Sequence, residues 1–481
     1  MHSIAAHWLN YIDGEWVDSA QHLTIHNPGT AQALATMAQA TVADAERAVQ
    51  AARRCADGGA LSRVRPAQRV TWLLRIAEEI RAVADEGAWV LCQENGKSLN
   101  DARDEFTEAA RYFEYYAGMA DKVEGTSIPL GNGYMDFTVY DPMGVSAQIV
   151  PWNFPVSICA RSLAPALAAG NAVVIKSPEL SPLGMCVLVR AIAKAGLPTG
   201  AVNLICGRGR EVGSHLVSHP GIDQIVFTGS VPTGQTILRD AAEHAIPSVM
   251  ELGGKSAAIA FADVDRQQLL ASVKGGIFFN AGQVCSAMSR LLVQRDIYED
   301  IVEAVVELAE GLSVGLGQDN PDLTPVVSAA QLASIETLCR RAIDEGAVAA
   351  TGGEAYSDRA GHFMRPTVFR DVSPEMCIAQ EEVFGPVLVI IPFDSEDEAL
   401  AIANGTAFGL VAGVFTQDIN RAMRCARRLK AGQVFVNEWY AGGIETPFGG
   451  VGLSGFGREK GQEALYSYVR TKNVAIRVGG E

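Results

Sequence analysis

Between residues 143 and 252 short apolar runs alternate with amphipathic segments, and this alternation constrains the fold more than any other feature of the chain. The runs fall at 144–150, 172–176, 202–206, 224–228 and 248–252. Helical spacing covers about 155–169, 182–196, 211–219 and 230–243 between and after them. A continuously apolar strand must be covered on both faces, and a helix following each strand covers it. The pattern therefore predicts an α/β fold with a parallel, doubly wound sheet. Such sheets take nucleotides at the carboxyl ends of their strands. The glycine-rich stretch Gly207-Arg208-Gly209-Arg210-Glu211-Val212-Gly213 has one residue too many for the usual dinucleotide fingerprint, so that motif is not assigned.

A second α/β pattern runs from about 253 to 464. Its strands fall near 257–261, 291–294, 387–391 and 433–437. Its helices fall near 266–281, 297–311, 328–345, 396–404 and 418–430. Upstream, residues 9–40 read as short strands and turns. Thr41 with Asp44 forms a capping-box start to a helix reaching about Cys55, and further helices occupy about 66–121. Residues 123–142 and 473–478 read as extended chain. With 481 residues there is material for two or three domains. A net charge of −16 argues against a nucleic-acid partner. No apolar run is long enough for a membrane span, and the N-terminus lacks the pattern of a secretion signal. Nine scattered cysteines include no CxxC pair, which predicts no zinc site and a reducing, cytoplasmic setting.

Three stretches carry candidate chemistry. Cys285 lies in Asn280-Ala281-Gly282-Gln283-Val284-Cys285, Glu251 in Met250-Glu251-Leu252-Gly253-Gly254-Lys255, and Asn153 in Val150-Pro151-Trp152-Asn153-Phe154-Pro155. Read singly, Cys285 fits a small buried hydrophobe, Glu251 a strand-end carboxylate and Asn153 a turn residue. Read together they supply a nucleophile, a base and an oxyanion donor. These stretches, with Phe227-Thr228-Gly229-Ser230, Glu381-Glu382-Val383-Phe384-Gly385-Pro386 and Pro447-Phe448-Gly449-Gly450, occur in an order that resembles the NAD(P)-dependent aldehyde dehydrogenase superfamily over essentially the whole chain.

The resemblance implies an aldehyde dehydrogenase-like fold. A Rossmann-type NAD domain (1–122 and 143–252) would join an α/β catalytic domain (253–464). A small β arm (123–142 and 465–481) would serve oligomerisation into a homodimer or homotetramer. It implies oxidation of an aldehyde to the acid through a cysteine thiohemiacetal and thioester, with Cys285 as nucleophile, Asn153 in the oxyanion hole and Glu251 activating water. The presence of Glu251 favours the hydrolytic branch over the CoA-acylating one. For the cofactor it implies Val150, Pro151, Trp152, Lys176, Ser177, Glu179, Gly209, Thr228, Gly229, Ser230, Leu252, Gly253, Glu382 and Phe384. Ser230 serves equally as a helix N-cap. Glu179 favours NAD by repelling a 2′-phosphate, while Arg208 and Arg210 keep NADP open. For the substrate it implies Phe154, Arg161, Phe279, Trp439 and Phe448, with Tyr440 beside them. The aromatic set suits a bulky or aromatic aldehyde. Arg161 fits either a carboxylate clamp of the succinate-semialdehyde type or a structural ion pair, and Phe279 stands where the semialdehyde type carries a second arginine. An amino-aldehyde substrate of the betaine aldehyde kind is the narrower alternative. A cysteine esterase or hydrolase is the alternative of another class.

Overall fold

The computed structural model describes residues 3–479; residues 1–2 and 480–481, the ends of the expected first and last segments, lie outside it. An eight-stranded sheet has a parallel centre. Ser248–Glu251, Gln224–Thr228, Val145–Ile149, Ala172–Ser177 and Val202–Cys206 lie side by side in that order. All five fall within one residue of the limits expected from sequence. The chain order reverses between Val145–Ile149 and Gln224–Thr228, which opens a crevice at their carboxyl ends. Helices such as Pro155–Ala169 and Leu183–Lys194 cover the faces. Pro155–Ala169 is buried along its whole length, as its Ala-rich sequence requires.

A seven-stranded sheet forms the other half, with Arg290–Gln294, Ala257–Ala260 and Val411–Phe415 adjacent at its centre. Each large sheet has its own apolar core. The short strand Gly455–Phe456 crosses back to pair antiparallel with Ser248–Glu251, and Leu252 N–H donates to Ser454 O at 3.0 Å. The tail of the chain is thereby tied to the strand that ends in Glu251. A third small sheet pairs Tyr134–Pro142 with Val469–Arg477 over nine antiparallel rungs.

The first helix spans Val42–Asp57 and starts on the capping box read from sequence. The Thr41 side chain accepts from Asp44 N–H, and the Asp44 carboxylate accepts from Thr41 N–H. Three expectations are corrected. The expected helix 211–219 is a wide turn at Gly209–Gly213 followed by a single helical turn, Ser214–Val217. The expected helix 266–281 ends at Val273, where Gly275 and Gly276 weaken it. The last strand starts at Val469, earlier than the extended pattern suggests. Among the described residues no helix is long and apolar enough to cross a membrane.

Candidate active site

Past Val273 the chain makes a wide turn over Lys274–Phe278 and then an unusual one. Asn280, Ala281 and Gly282 all have positive φ, at 48°, 54° and 70°. Left-handed backbone at non-glycine residues costs roughly 1–2 kcal/mol each. At Gly282 a Cβ would sit 2.0 Å from the Gly385 carbonyl oxygen, so a side chain has no room. Side-chain amides hold the turn: Gln283 Nε2 donates to Asn280 O at 3.0 Å, and Gln283 Oε1 accepts from Val327 N–H at 2.9 Å. The indole of Trp439 donates to Ser286 O at 3.1 Å from behind. The outcome is a fixed presentation of Cys285. It is the one described cysteine that is not fully buried, and it forms part of the wall of two clefts, each of about 760 Å³. Burial pushes its thiol up to about 11; the Arg161 guanidinium opposes this, and Glu382 and Glu251 add to it.

Asn153 sits opposite, after the strand Val145–Ile149 and before the helix Pro155–Ala169. Its Nδ2 donates to Gln283 O at 3.0 Å, which spends one amide hydrogen and leaves the other. The Cys285 N–H has no hydrogen bond among the described residues, so two donors remain beside the thiol. A buried ion pair fixes Asn153. Lys97 pairs with Glu105, donates to Asn153 O at 2.7 Å, and lies over the Phe154 ring at 4.1 Å. Glu105 in turn accepts from the N–H groups of Val156 and Ser157 at the helix start. No spacing pattern in the sequence marks Lys97 or Glu105.

Glu251 ends its strand against the other half of the molecule. A Cβ on Gly254 would lie 2.6 Å from Cys285 O, so only glycine lets these segments approach. Glu251 is 2 % exposed, and neither carboxylate oxygen has a hydrogen-bond partner. Burial and the nearby Glu459 carboxylate hold its carboxyl well above the usual range, against the pull of Arg161 and Arg458. Arg161 is 7 % exposed and forms an ion pair with the fully buried Glu459. It also stands 5.2 Å from the Phe448 ring centre. Sequence reasoning missed Glu459; its position in Gly457-Arg458-Glu459, shortly after Pro447-Phe448-Gly449-Gly450, was the available signal.

The expected cofactor residues divide between two places. Pro151, Trp152, Thr228, Gly229, Ser230, Leu252, Gly253, Glu382 and Phe384 line the cleft that contains Glu251 and Cys285. Here Glu382 accepts from Gly254 N–H at 3.0 Å, and burial raises its carboxyl to about 7. A Cβ on Gly253 would strike the Glu382 carboxylate at 2.1 Å. Trp152 meets Phe384 edge to face at 5.4 Å. Lys176, Glu179 and Gly209 line a separate cleft of about 1270 Å³, together with Arg208 and Arg210. There Glu179 accepts from Gly209 N–H at 2.8 Å and stands 3.7 Å from Lys176 Nζ. Val150 and Ser177 are buried and line neither cleft.

The expected substrate residues also divide. Phe154, Arg161, Tyr440 and Phe448 line the second cleft at Cys285, joined by Tyr112, Glu108 and Lys460. Phe279 does not line it, but stacks on Phe154 at 5.7 Å and so supports the wall. Trp439 stands behind Cys285 as described. Within the helix Leu99–Ala117, Tyr112 faces this cleft while Phe113 and Tyr116 pack in the core.

Known proteins share this fold. The aldehyde dehydrogenase family model matches residues 16–474, and the chain belongs to that family. It is an oxidoreductase that converts aldehydes to acids. It is 38 % identical to betaine aldehyde dehydrogenase of Bacillus subtilis (strain 168) over 472 residues, covering 96 % of both chains. It is 38 % identical to human retinal dehydrogenase 2 over 474 residues, 97 % of this chain and 91 % of that one. Among solved structures it resembles betaine aldehyde dehydrogenase of Staphylococcus aureus in complex with NAD+ (TM-score 0.96, 36 % identity, 98 % of this chain and 95 % of that one). It equally resembles the NAD+ complex of aldehyde dehydrogenase from Bacillus cereus (TM-score 0.96, 37 % identity, 98 % and 97 %).

Proposed function

We propose that the chain oxidises a bulky, apolar or aromatic aldehyde to its acid with NAD by a hydrolytic route. The observation that carries this reading is the place of Cys285 between two clefts. One holds the unpartnered Glu251 carboxyl, and the other is walled by Phe154, Tyr440 and Phe448. The aldehyde enters along the aromatic wall. The Cys285 thiol gives its proton to water in the open cleft as its sulfur bonds to the carbonyl carbon, and the oxygen that gains charge is met by the second Asn153 amide hydrogen and the Cys285 N–H. Such donors are each worth roughly 3–4 kcal/mol in the transition state. Held by Lys176, Glu179, Ser230 and Glu382, NAD would supply the acceptor for the hydride that leaves this carbon. Glu251 then takes a proton from water as the water oxygen bonds to the thioester carbon. The C–S bond breaks, and the acid departs.

NAD fits the residues present. Glu179 and Lys176 would hold the adenosine ribose, Ser230 would receive phosphate at the start of the helix Val231–Ala242, and Glu382 would hold the nicotinamide ribose. The Glu179 carboxylate in that cleft disfavours a 2′-phosphate. Arg161 is already paired with Glu459, which weighs against a carboxylate clamp and so against a semialdehyde substrate. The test is NAD(P)H formation with benzaldehyde, a medium-chain alkanal, succinate semialdehyde and betaine aldehyde. Benzaldehyde with NAD should lead in kcat/KM; a lead for succinate semialdehyde would make Arg161 a clamp and overturn the substrate reading.

The proposed domains are 1–122 with 143–252 for the cofactor, 253–464 for the thiol, and 123–142 with 465–481 as an arm; Gly455–Phe456, within the second range, pairs with the sheet of the first. The arm exposes Tyr134, Met135 and Ile476, at 50 %, 56 % and 41 %, and leaves Val469–Arg477 as an edge strand. Exposed apolar edges of this kind call for a covering surface, and a second copy of this chain supplies it. Light scattering on the eluting protein should report a dimer or tetramer, and Ile476→Asp with Met135→Asp should shift it toward the monomer. A monomeric wild type would refute this.

A further inference from the structure

We infer that His7, Asp18 and His22 form a binding site for a divalent transition cation of the zinc class, outside the active site. The N-terminal three-stranded sheet builds it. His7–Trp8 and His22–His26 flank the strand Ala33–Ala38 on either side. His7 is registered with Thr36 and His22 with Ala38. Thr36 and Ala38 are two residues apart and share a face, so both imidazoles rise on the same side of the sheet. The two rings meet edge to face at 4.7 Å. Asp18, just after the strand Glu15–Val17, reaches between them. Its Oδ1 is 2.9 Å from His7 Nε2 and 3.1 Å from His22 Nε2, and the three ligand atoms lie within 4.8 Å of one another.

The hydrogen bonds at His7 are compatible with a metal ligand. The Thr36 hydroxyl can turn its hydrogen to Ala6 O, 3.2 Å away, and accept from His7 Nδ1–H at 2.8 Å. The Nε2 lone pair then faces the Asp18 carboxylate oxygen at 2.9 Å, where a cation fits between the two. A histidine that binds metal through one nitrogen and hands its other N–H to an oxygen is the usual arrangement of a metal ligand. Zinc bonds of about 2.0–2.2 Å at a tetrahedral angle separate ligand atoms by roughly 3.3–3.5 Å. The two nitrogen–oxygen separations, 2.9 and 3.1 Å, therefore need only open by a few tenths of an ångström. All three residues are partly exposed, which leaves a fourth position for water. A second trio, Glu46, His215 and His219, is closed to metal by the same logic. Gly221 N–H donates to His219 Nδ1 at 2.8 Å, so the proton of neutral His219 sits on Nε2 and is given to Glu46.

The test is equilibrium dialysis of metal-stripped full-length protein against micromolar Zn²⁺, followed by metal analysis, for wild type, His22→Gln and Glu46→Gln. Cobalt is the second probe, because a thiolate ligand such as Cys285 would reveal itself by a near-ultraviolet charge-transfer band. Expected are one retained zinc per chain in wild type and Glu46→Gln, none in His22→Gln, and cobalt absorption without the thiolate band. Retention of zinc by His22→Gln, or no retention by wild type, would overturn the site. His22 is a surface residue and its replacement leaves the core untouched, so an unchanged circular dichroism spectrum should accompany the loss.

Discussion

Cys285→Ala is expected to abolish NADH formation with every aldehyde, by on the order of 10⁵–10⁶ in kcat, the size of loss seen when an acyl-enzyme mechanism loses its nucleophile. The expectation rests on position more than on acidity. Burial holds the thiol up at about 11, so the free enzyme carries little thiolate at neutral pH. What is unusual is the geometry. A run of left-handed residues, 280–282, turns the chain so that Cys285 alone among the cysteines meets open space. Alanine keeps that backbone and removes only the sulfur. The variant should therefore retain wild-type thermal stability and NAD affinity, measured by calorimetry, while turnover vanishes. Residual NADH formation above a hundredth of wild type would place the nucleophile elsewhere. Turnover of simple esters without NAD, lost in the same variant, would be expected of this thiol. Ester turnover outrunning aldehyde oxidation would favour a hydrolase.

The parts of the site that the sequence reveals are those written in contiguous stretches. Asn153, Glu251, Cys285 and Glu382 each stand in a local run of small, apolar or proline residues, and the fold brings those runs to one crevice. The five parallel strands are legible for the same reason: each is a short apolar run bounded by turn residues, and its periodicity does not depend on distant partners. What stays hidden depends on such partners. Arg161 reads equally as a clamp or a structural cation until Glu459, from the far end of the chain, is seen against it. Lys97 looks like any surface lysine between Gly96 and Ser98, yet it is buried under Asn153. Trp439 has the composition of a pocket wall, and only the fold shows that its N–H is engaged by Ser286 O. The helix expected through Ala281 fails at Gly275-Gly276, and although Asn280 and Gly282 tolerate positive φ, Ala281 between them gives no sign of it.

Glu251→Gln should separate the two halves of the reaction. Bond formation to sulfur and loss of hydride do not require a base on the water, so the first turnover should survive as a burst of about one NADH per site. Steady-state turnover should then fall by roughly 10²–10⁴, the usual contribution of a general base. A rapid-mixing trace with no burst and a uniformly slow rate would mean that Glu251 is needed for the attack by Cys285 as well. The pH profile of the wild type gives the complementary test, and its sign is fixed by the environment. Burial and the Glu459 charge favour the protonated carboxyl, while the base must be ionised. The acid limb of steady-state kcat should therefore lie above the ordinary carboxylate range, with turnover rising as pH increases through it. In Glu459→Gln the like charge is gone and the Arg161 guanidinium is no longer neutralised. Both changes favour ionised Glu251, so the limb should move to lower pH. The glutamine can still accept from Arg161, which limits the disruption left by an unpaired buried cation, otherwise about 3–5 kcal/mol. A limb that moves to higher pH, or one that Glu251→Gln leaves in place, would show that some other group limits the release of the acid.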